Sequence, residues 1–271
     1  MTYTVLGATG FIGKALTESL KSQGHSVFSP AGKGERWLNE VLSNNLGHVF
    51  YCIGLTADFR SRPFDTVDAH ICLLRKILEH GQMDSLTYLS STRIYEGAID
   101  TDELAMLQGI PTNPSHLYNF SKLMGESLCL NSGRKARVVR LSNVYGRDMG
   151  KNNFLSEVLR ESAKDGRIKF QTSSNSSKDF ISLEEVVRLL PRIAIDGKYE
   201  IYNLASGKNT TNAEIAQILS RLGVKVSYAD ESVEWIFAEI NTLRLEAEFG
   251  RSVGDLEADL PNMFNYYRLK A

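Results

Sequence analysis

The stretch Thr4-Val5-Leu6-Gly7-Ala8-Thr9-Gly10-Phe11-Ile12-Gly13 decides the fold of this chain. An apolar, β-branched run forms a first strand, glycines spaced GxxGxxG follow, and an amphipathic stretch from Phe11 to Gln23 continues as a helix. Each glycine has its own task in such a strand–turn–helix. Gly7 takes the dihedrals of the tight turn, Gly10 lets the main chain approach a pyrophosphate, and Gly13 lets the helix pack on the strand. Free amides and the positive end of the helix dipole then attract phosphate. The spacing differs from the commoner GxGxxG turn, but its place between strand and helix predicts a dinucleotide site. Gly7, Thr9, Gly10, Phe11, Ile12 and Gly13 are its candidate residues.

Outward from this turn, short apolar runs alternate with amphipathic ones. His25–Phe28 reads as a strand, 35–45 as a helix, and His48–Ile53 as a strand buried on both faces. A helix over 64–80, a strand over Leu86–Leu89, a helix over 115–130 and a strand over Arg137–Leu141 follow. This alternation predicts an α/β fold, a doubly wound parallel sheet of the Rossmann type. Beyond Gly146 the regularity weakens. Helices over 183–194 and 211–221, the second opened by Thr210 or Thr211 as N-cap, flank a strand over 199–204. Gln171–Lys178 (QTSSNSSK) is polar enough to predict a loop. The division expected is a Rossmann domain of 1–146 plus about 181–204, with a small C-terminal substrate-binding lobe of about 147–180 plus 205–271.

Composition narrows the class of partner. Lys and Arg number 31 against 32 Asp and Glu, a formal net charge of −1. That balance argues against a general nucleic-acid or membrane-surface binder. The cysteines Cys52, Cys72 and Cys129 are isolated, without metal-ligand spacing, and read as buried thiols in a reducing compartment, so no metal site is expected. The first strand begins almost at Met1, leaving no room for a signal peptide, and no apolar run nears the ~20 residues of a membrane span. A cytoplasmic location and no membrane partner are expected.

Two further features carry chemistry. Tyr118 and Lys122 stand four apart on a helix and so share a face. An ammonium beside a phenol stabilises the phenolate and lowers the Tyr pKa toward a range useful for proton transfer. Ser90-Ser91-Thr92 ends a strand where a parallel sheet places its ligand crevice, and a hydroxyl there can donate to a reacting oxygen. After the second strand comes Ser29-Pro30-Ala31-Gly32-Lys33-Gly34-Glu35-Arg36, with no acid at the strand end. Lys33 and Arg36 favour the 2′-phosphate of NADP(H); NAD(H) stays open, with Glu35 as an acid for its ribose.

With these pieces in order, the chain resembles the extended short-chain dehydrogenase/reductase family, the NAD(P)-dependent epimerase/dehydratase group. The resemblance runs through TVLGATGFIGKAL, YLSSTRIYEG, YNFSKLMGE, VVRLSNVYG, KDFISLEEVV and YNLASGKNTT. It implies that Tyr118 is the acid/base, that Lys122 binds the nicotinamide ribose, and that Ser91, four before Tyr95, polarises the reacting oxygen. It also implies substrate contacts from Asn143 and from Lys178, which stands where a phosphate-binding Arg is common, alongside Thr92 and Arg93 at the strand end. A homodimer through the helices about 64–80 and 115–130 is implied as well. Thr92-Arg93 replaces the Asp-Glu pair of the group's dehydratases, which argues against dehydration. The acidic, adenine-binding segment expected before His48 is absent, and WIFAEIN (235–241) stands near where an Arg-Pro-Gly-Asp stretch would hold a nucleotide diphosphate. His70 falls at a frequent Asn position and reads as a buried structural histidine. The implied function is hydride transfer at a carbinol or ketone carbon of a sugar, nucleotide-linked in most of the group, with a 4-keto-sugar reductase favoured over an epimerase. A protein that only senses NADP would be expected to lack one of Ser91, Tyr118 and Lys122. Sugar recognition is expected from the loops 147–153 and 171–178.

Overall fold

Strand β1 (Thr2–Leu6) sits second from the edge of a six-stranded sheet, and each of its residues after Thr2 is buried. In this computed structural model, which describes residues 1–55, 58–150 and 153–270, every strand of that sheet runs parallel. The order is β2-β1-β3-β4-β5-β9, with β2 at Ser26–Phe28, β3 at His48–Tyr51, β4 at Ser85–Ser91, β5 at Ala136–Leu141 and β9 at Ile201–Leu204. The chain leaves β1 toward β2 at one edge, then crosses back to place β3 on β1's other side. Strand ends diverge at that reversal and open a crevice beyond the carboxyl ends of β1 and β3.

Helices cover both faces, as the alternation predicted. On one side α1 (Phe11–Ser22) buries Gly13, Leu16, Thr17 and Leu20, a helical i, i+3, i+4, i+7 stripe. It shares a core with Val186, Leu189 and Ile193 of α7 (Leu183–Asp196). On the other side α2 (Gly34–Leu42), α4 (Leu73–His80) and α5 (Pro114–Asn131) close a second core through Trp37, Val41, Leu74, Ile77 and Cys129. The helix expected over 64–80 is composite: α3 (Pro63–Val67) passes into a π-helical turn at Asp68–Cys72 before α4. Such turns are uncommon and occur mostly at functional sites.

The remaining residues build a separate core. The short strands β6 (Asn143–Tyr145), β8 (Ser177–Ser182) and β10 (Asn209–Thr211) form one small sheet, and β7 (Arg167–Thr172) pairs with β11 (Lys225–Val233) in another. Helices α6 (Phe154–Asp165), α8 (Asn212–Arg221) and α10 (Leu256–Arg268) pack on them through Leu155, Leu159, Ile215, Leu219, Leu260 and Phe264. Thr211 caps α8 in a reciprocal box with Glu214. The polar run 171–178, expected as a loop, instead continues β7 to Thr172 and enters β8 at Ser177, with only 173–176 turning between them. Helix α9 (Leu243–Phe249) returns to the large sheet, where Leu245 and Phe249 join the first core.

Behind β4 lies a buried ionic cluster. Glu126 of α5 and Arg140 of β5 are each 4% exposed and meet at 2.7 Å. Ser90 donates to Glu126, and Arg140 also donates to the Tyr95 hydroxyl and the Glu103 carbonyl. A buried charge left without its partner costs far more than the pair contributes. Glu126→Ala is therefore expected to lower stability by about 3–5 kcal/mol in urea unfolding, with Glu126→Leu/Arg140→Met recovering most of it. A single-variant loss under about 1 kcal/mol would mean that the guanidinium finds water or another partner.

Candidate active site

The turn after β1 is built from backbone too close for side chains. Gly7 has φ +87°, and a Cβ on it would lie 2.9 Å from the Cys52 carbonyl group. A Cβ on Gly13 would lie 2.3 Å from the Gly7 oxygen, so α1 can rest on the turn only through a glycine. No side chain caps α1 at Gly10, which leaves its first amides to solvent or an anion. These are the features a dinucleotide pyrophosphate needs, and they fit it.

From this turn a cleft of about 510 Å³ runs toward the β2 edge. Gly7, Thr9, Gly10, Pro30 to Glu35 and Cys52 to Gly54 line one wall, and Asp68, Cys72, Leu73 and Lys76 the other. Trp37 fixes the 30–35 loop by donating its indole N–H to the Pro30 carbonyl at 3.1 Å. Lys33 lines the cleft as expected, together with Lys76, but so do the acids Glu35 and Asp68. Arg36 stands exposed outside the cleft: on α2 it falls between the lining positions 34, 35, 37 and 38 on the helix's far side. Phe11 and Ile12 turn their side chains into the lobe core and the first core respectively, so of these two only backbone is offered to the turn.

Tyr118, Lys122 and Ser91 come together at the carboxyl end of β4. Tyr118 is 5% exposed. Burial pushes its phenol above the usual range, opposed by the neighbouring Ser91 hydroxyl and by the charge of Arg93. Lys122, the expected phenolate-stabilising cation, is buried behind the phenol. Its ammonium donates to the Leu89 carbonyl at 2.9 Å and stands 5.9 Å from the Tyr118 ring centre. Burial pushes Lys122 down to about 8, with Glu126 pulling the other way. A hydroxyl facing a phenol, with an ammonium buried behind, can bind one oxygen from two sides and pass it a proton.

His70, expected as a structural histidine, is a wall of this site. It sits in the π-helical turn with its ring edge-on to Tyr118, centroids 5.3 Å apart. Its Nε2 accepts from the Leu55 amide at 3.3 Å, so Nδ1 carries the proton toward Ser121 Oγ at 2.8 Å, and Ser121 donates to the Tyr118 carbonyl. Burial and then the Lys122 charge push its pKa down to about 2, so the ring stays neutral at ordinary pH.

On the open side of Tyr118 the ring of Phe59 packs at 4.9 Å, with the Arg60 guanidinium 4.6 Å and that of Arg93 5.6 Å from its centre. Lys178 lies 4.5 Å over the Phe154 ring, its pKa lowered by burial and by Arg93. Thr92 is buried in the 3₁₀ turn Thr92–Tyr95. Asn143 uses its amide to donate to the Asp179 carbonyl at 2.8 Å, steadying the strand that carries Lys178. Asp179 in turn accepts from the amides of Ser206, Gly207 and Lys208. Phe59 and Arg60 were not singled out from sequence; their one signal is an aromatic–cation pair just past a strand end. Lys151 and Asn152, in the loop expected to read the sugar, lie outside the described residues.

The profile of the NAD dependent epimerase/dehydratase family matches residues 3–205. GDP-mannose 3,5-epimerase 1 of Oryza sativa subsp. indica is 23% identical over 256 residues, covering 80% of this chain and 67% of that protein. RMD from Pseudomonas aeruginosa, solved with NADPH, superposes with a TM-score of 0.86 at 19% identity, over 100% of this chain and 99% of that one. UDP-glucuronic acid 4-epimerase from Bacillus cereus, solved with UDP-glucuronic acid and NAD, gives 0.79 at 17% identity over 100% of both chains.

The thiols report on this geometry. Cys129 is buried and Cys52 half-buried, and burial pushes both up to about 12. Cys72, expected to be buried, is exposed on the cleft wall because it faces away from the His70 side of its turn. A colorimetric disulfide reagent is expected to modify one thiol per chain in the native protein, none in Cys72→Ser, and three after unfolding. Rapid native reaction of two or three thiols would contradict the burial described.

Proposed function

The chain belongs to the NAD dependent epimerase/dehydratase family, and from that membership we propose that it is an enzyme moving hydride at a carbinol or ketone carbon of a sugar. The observation that carries this reading is the Ser91–Tyr118 pair at the end of β4, backed by buried Lys122 in the same sheet that carries the glycine turn at Gly7. Gly7, Thr9, Gly10 and the first amides of α1 would hold the pyrophosphate, and Lys122 the ribose. The nicotinamide, when bound, supplies or takes up the hydride. Ser91 donates to the reacting oxygen and Tyr118 gives or accepts its proton. The smaller lobe, about 147–180 plus 205–271, supplies the sugar side of the site. Within the family reading we favour an NADP(H)-dependent reductase of a 4-keto sugar, nucleotide-linked as in the UDP-sugar and GDP-sugar enzymes it resembles, and place Lys33 beside the 2′-phosphate. The epimerase alternative uses the same residues with NAD(H) retained between turnovers. Exposed Phe64 and Met124, at 85% and 56%, support a homodimer through the helices about 64–80 and 115–130, to be read as a doubled mass in light scattering.

Native mass spectrometry of the purified protein, with NADPH and NADH titrations, tests the cofactor. Selective, exchangeable NADPH supports the reductase, tightly held NAD the epimerase, and binding of neither removes the enzyme as drawn. The ammonium of Lys122 is charged below about pH 8 and neutral above. Cofactor affinity is therefore expected to fall as pH rises through about 8, and in Lys122→Met to be weaker and flat across that range. Unchanged pH dependence in the variant would take Lys122 out of the binding site. Gly13→Ala, with no room for its methyl, is expected to weaken cofactor binding at least tenfold, and affinity within twofold of the parent would mean that the turn does not hold the pyrophosphate.

A further inference from the structure

Arg93 is an unusual residue to find beside a catalytic phenol. Its side chain is 24% exposed, yet among the described residues its Nε and Nη2 are buried without a hydrogen-bond partner. Among the described residues the acid paired with it is Glu96, whose Oε2 lies 3.2 Å from Nη2 but out of line for a hydrogen bond, and which Asn119 already engages. Arg60 adds a second guanidinium on the same Phe59 ring, held by a hydrogen bond from its Nε to Ser115 Oγ at 2.9 Å. Lys178 stands close enough for its charge and that of Arg93 to repel. Two guanidiniums thus share the Phe59 ring that packs on Tyr118. Buried donors without acceptors are costly, and an incoming oxyanion relieves that cost. A planar guanidinium holds carboxylate and phosphate oxygens in pairs, which an ammonium cannot.

We propose that Arg93 and Arg60 form an oxyanion-binding site on the substrate side of Tyr118, so that the sugar acted on carries a carboxylate or phosphate monoester near its reacting carbon. The inference rests on the reading of Tyr118 as the residue facing that carbon. It differs from recognition of a nucleotide diphosphate, which would sit away from the reacting atoms. The site discriminates by leaving Arg93 unpaired when a neutral sugar binds.

The test compares probes that differ only in the acid. Calorimetric titration of the protein, with and without saturating NADPH or NADH, is run with UDP-glucuronate against UDP-glucose and with glucose 6-phosphate against glucose. At least one acidic probe is expected to bind tenfold or more tightly than its neutral partner, and which one does so identifies the anion. Arg93→Ala is expected to bring that ratio within twofold, Arg93→Lys to restore part of it, and Arg60→Ala, on an exposed loop, to reduce it while leaving the fold untouched. Equal affinity for acid and neutral probes, failure of both acids to bind at millimolar concentration, or a ratio surviving both alanine variants overturns the proposal. Cofactor titration of the same variants separates the two readings. A protein that prefers the acid without binding nicotinamide keeps the oxyanion site and loses the enzyme; one that binds nicotinamide without preferring the acid does the reverse.

Discussion

The site depends on how closely α5 lies on β4 and the π-helical turn. A Cβ at Gly125 would stand 2.5 Å from the Tyr88 hydroxyl and 2.9 Å from the His70 carbonyl, so only glycine permits the approach. With the helix pressed there, one turn earlier Lys122 reaches the Leu89 carbonyl and two turns earlier Tyr118 reaches Ser91. On the next residue, Glu126 locks the helix to β4 and β5 through Ser90 and Arg140. Positions 118, 122, 125, 126 and 129 form one buried face, and the chemistry is the end of that face nearest the carboxyl end of β4.

The same sheet explains the form of the cleft. One strand lies to the β2 side of β1 and four to the other, whereas a full dinucleotide fold of order 3-2-1-4-5-6 has two. The absent strand leaves the outer end of the cleft to be walled by the 30–35 loop, pinned through Trp37, and by the π-helical turn with α4. The π turn thereby touches both features: Asp68 and Cys72 face the outer cleft while the His70 ring packs edge-on against Tyr118.

How much of this was legible in the sequence follows from how local each signal is. The glycine turn, the YxxxK spacing and Ser91 are read within a few residues, because their geometry is fixed by one turn or one helix. The doubly wound sheet followed from alternation, while the strand lacking on the β2 side was not foreseen. Burial of Cys72 was misjudged because it depends on which helix face meets the sheet. The strands around 171–178 were read as loop because serines and asparagine dominate there, while their pairing partners lie 30 to 60 residues away at 209–211 and 225–233. Phe59 and Arg60 escaped for a similar reason: only the tertiary fold brings them to Arg93. The stretch 235–241 proved to be tied to the body by backbone, with Thr101 donating to the Glu239 carbonyl and accepting from the Asn241 amide, a role no side-chain pattern announces.

The central claim is that Tyr118 completes hydride transfer at a sugar carbon. It is tested most directly by incubating the protein with NADPH or NADH carrying deuterium on the transferable C4 position and a panel of 4-keto nucleotide sugars, neutral and acidic, then weighing the sugar product. One deuterium per product molecule with the parent enzyme, and a loss of about a hundredfold or more in rate with Tyr118→Phe at unchanged cofactor affinity, is the result this account predicts. Transfer at the parent rate by Tyr118→Phe, or tight nicotinamide binding with no deuterium reaching any sugar, would contradict it.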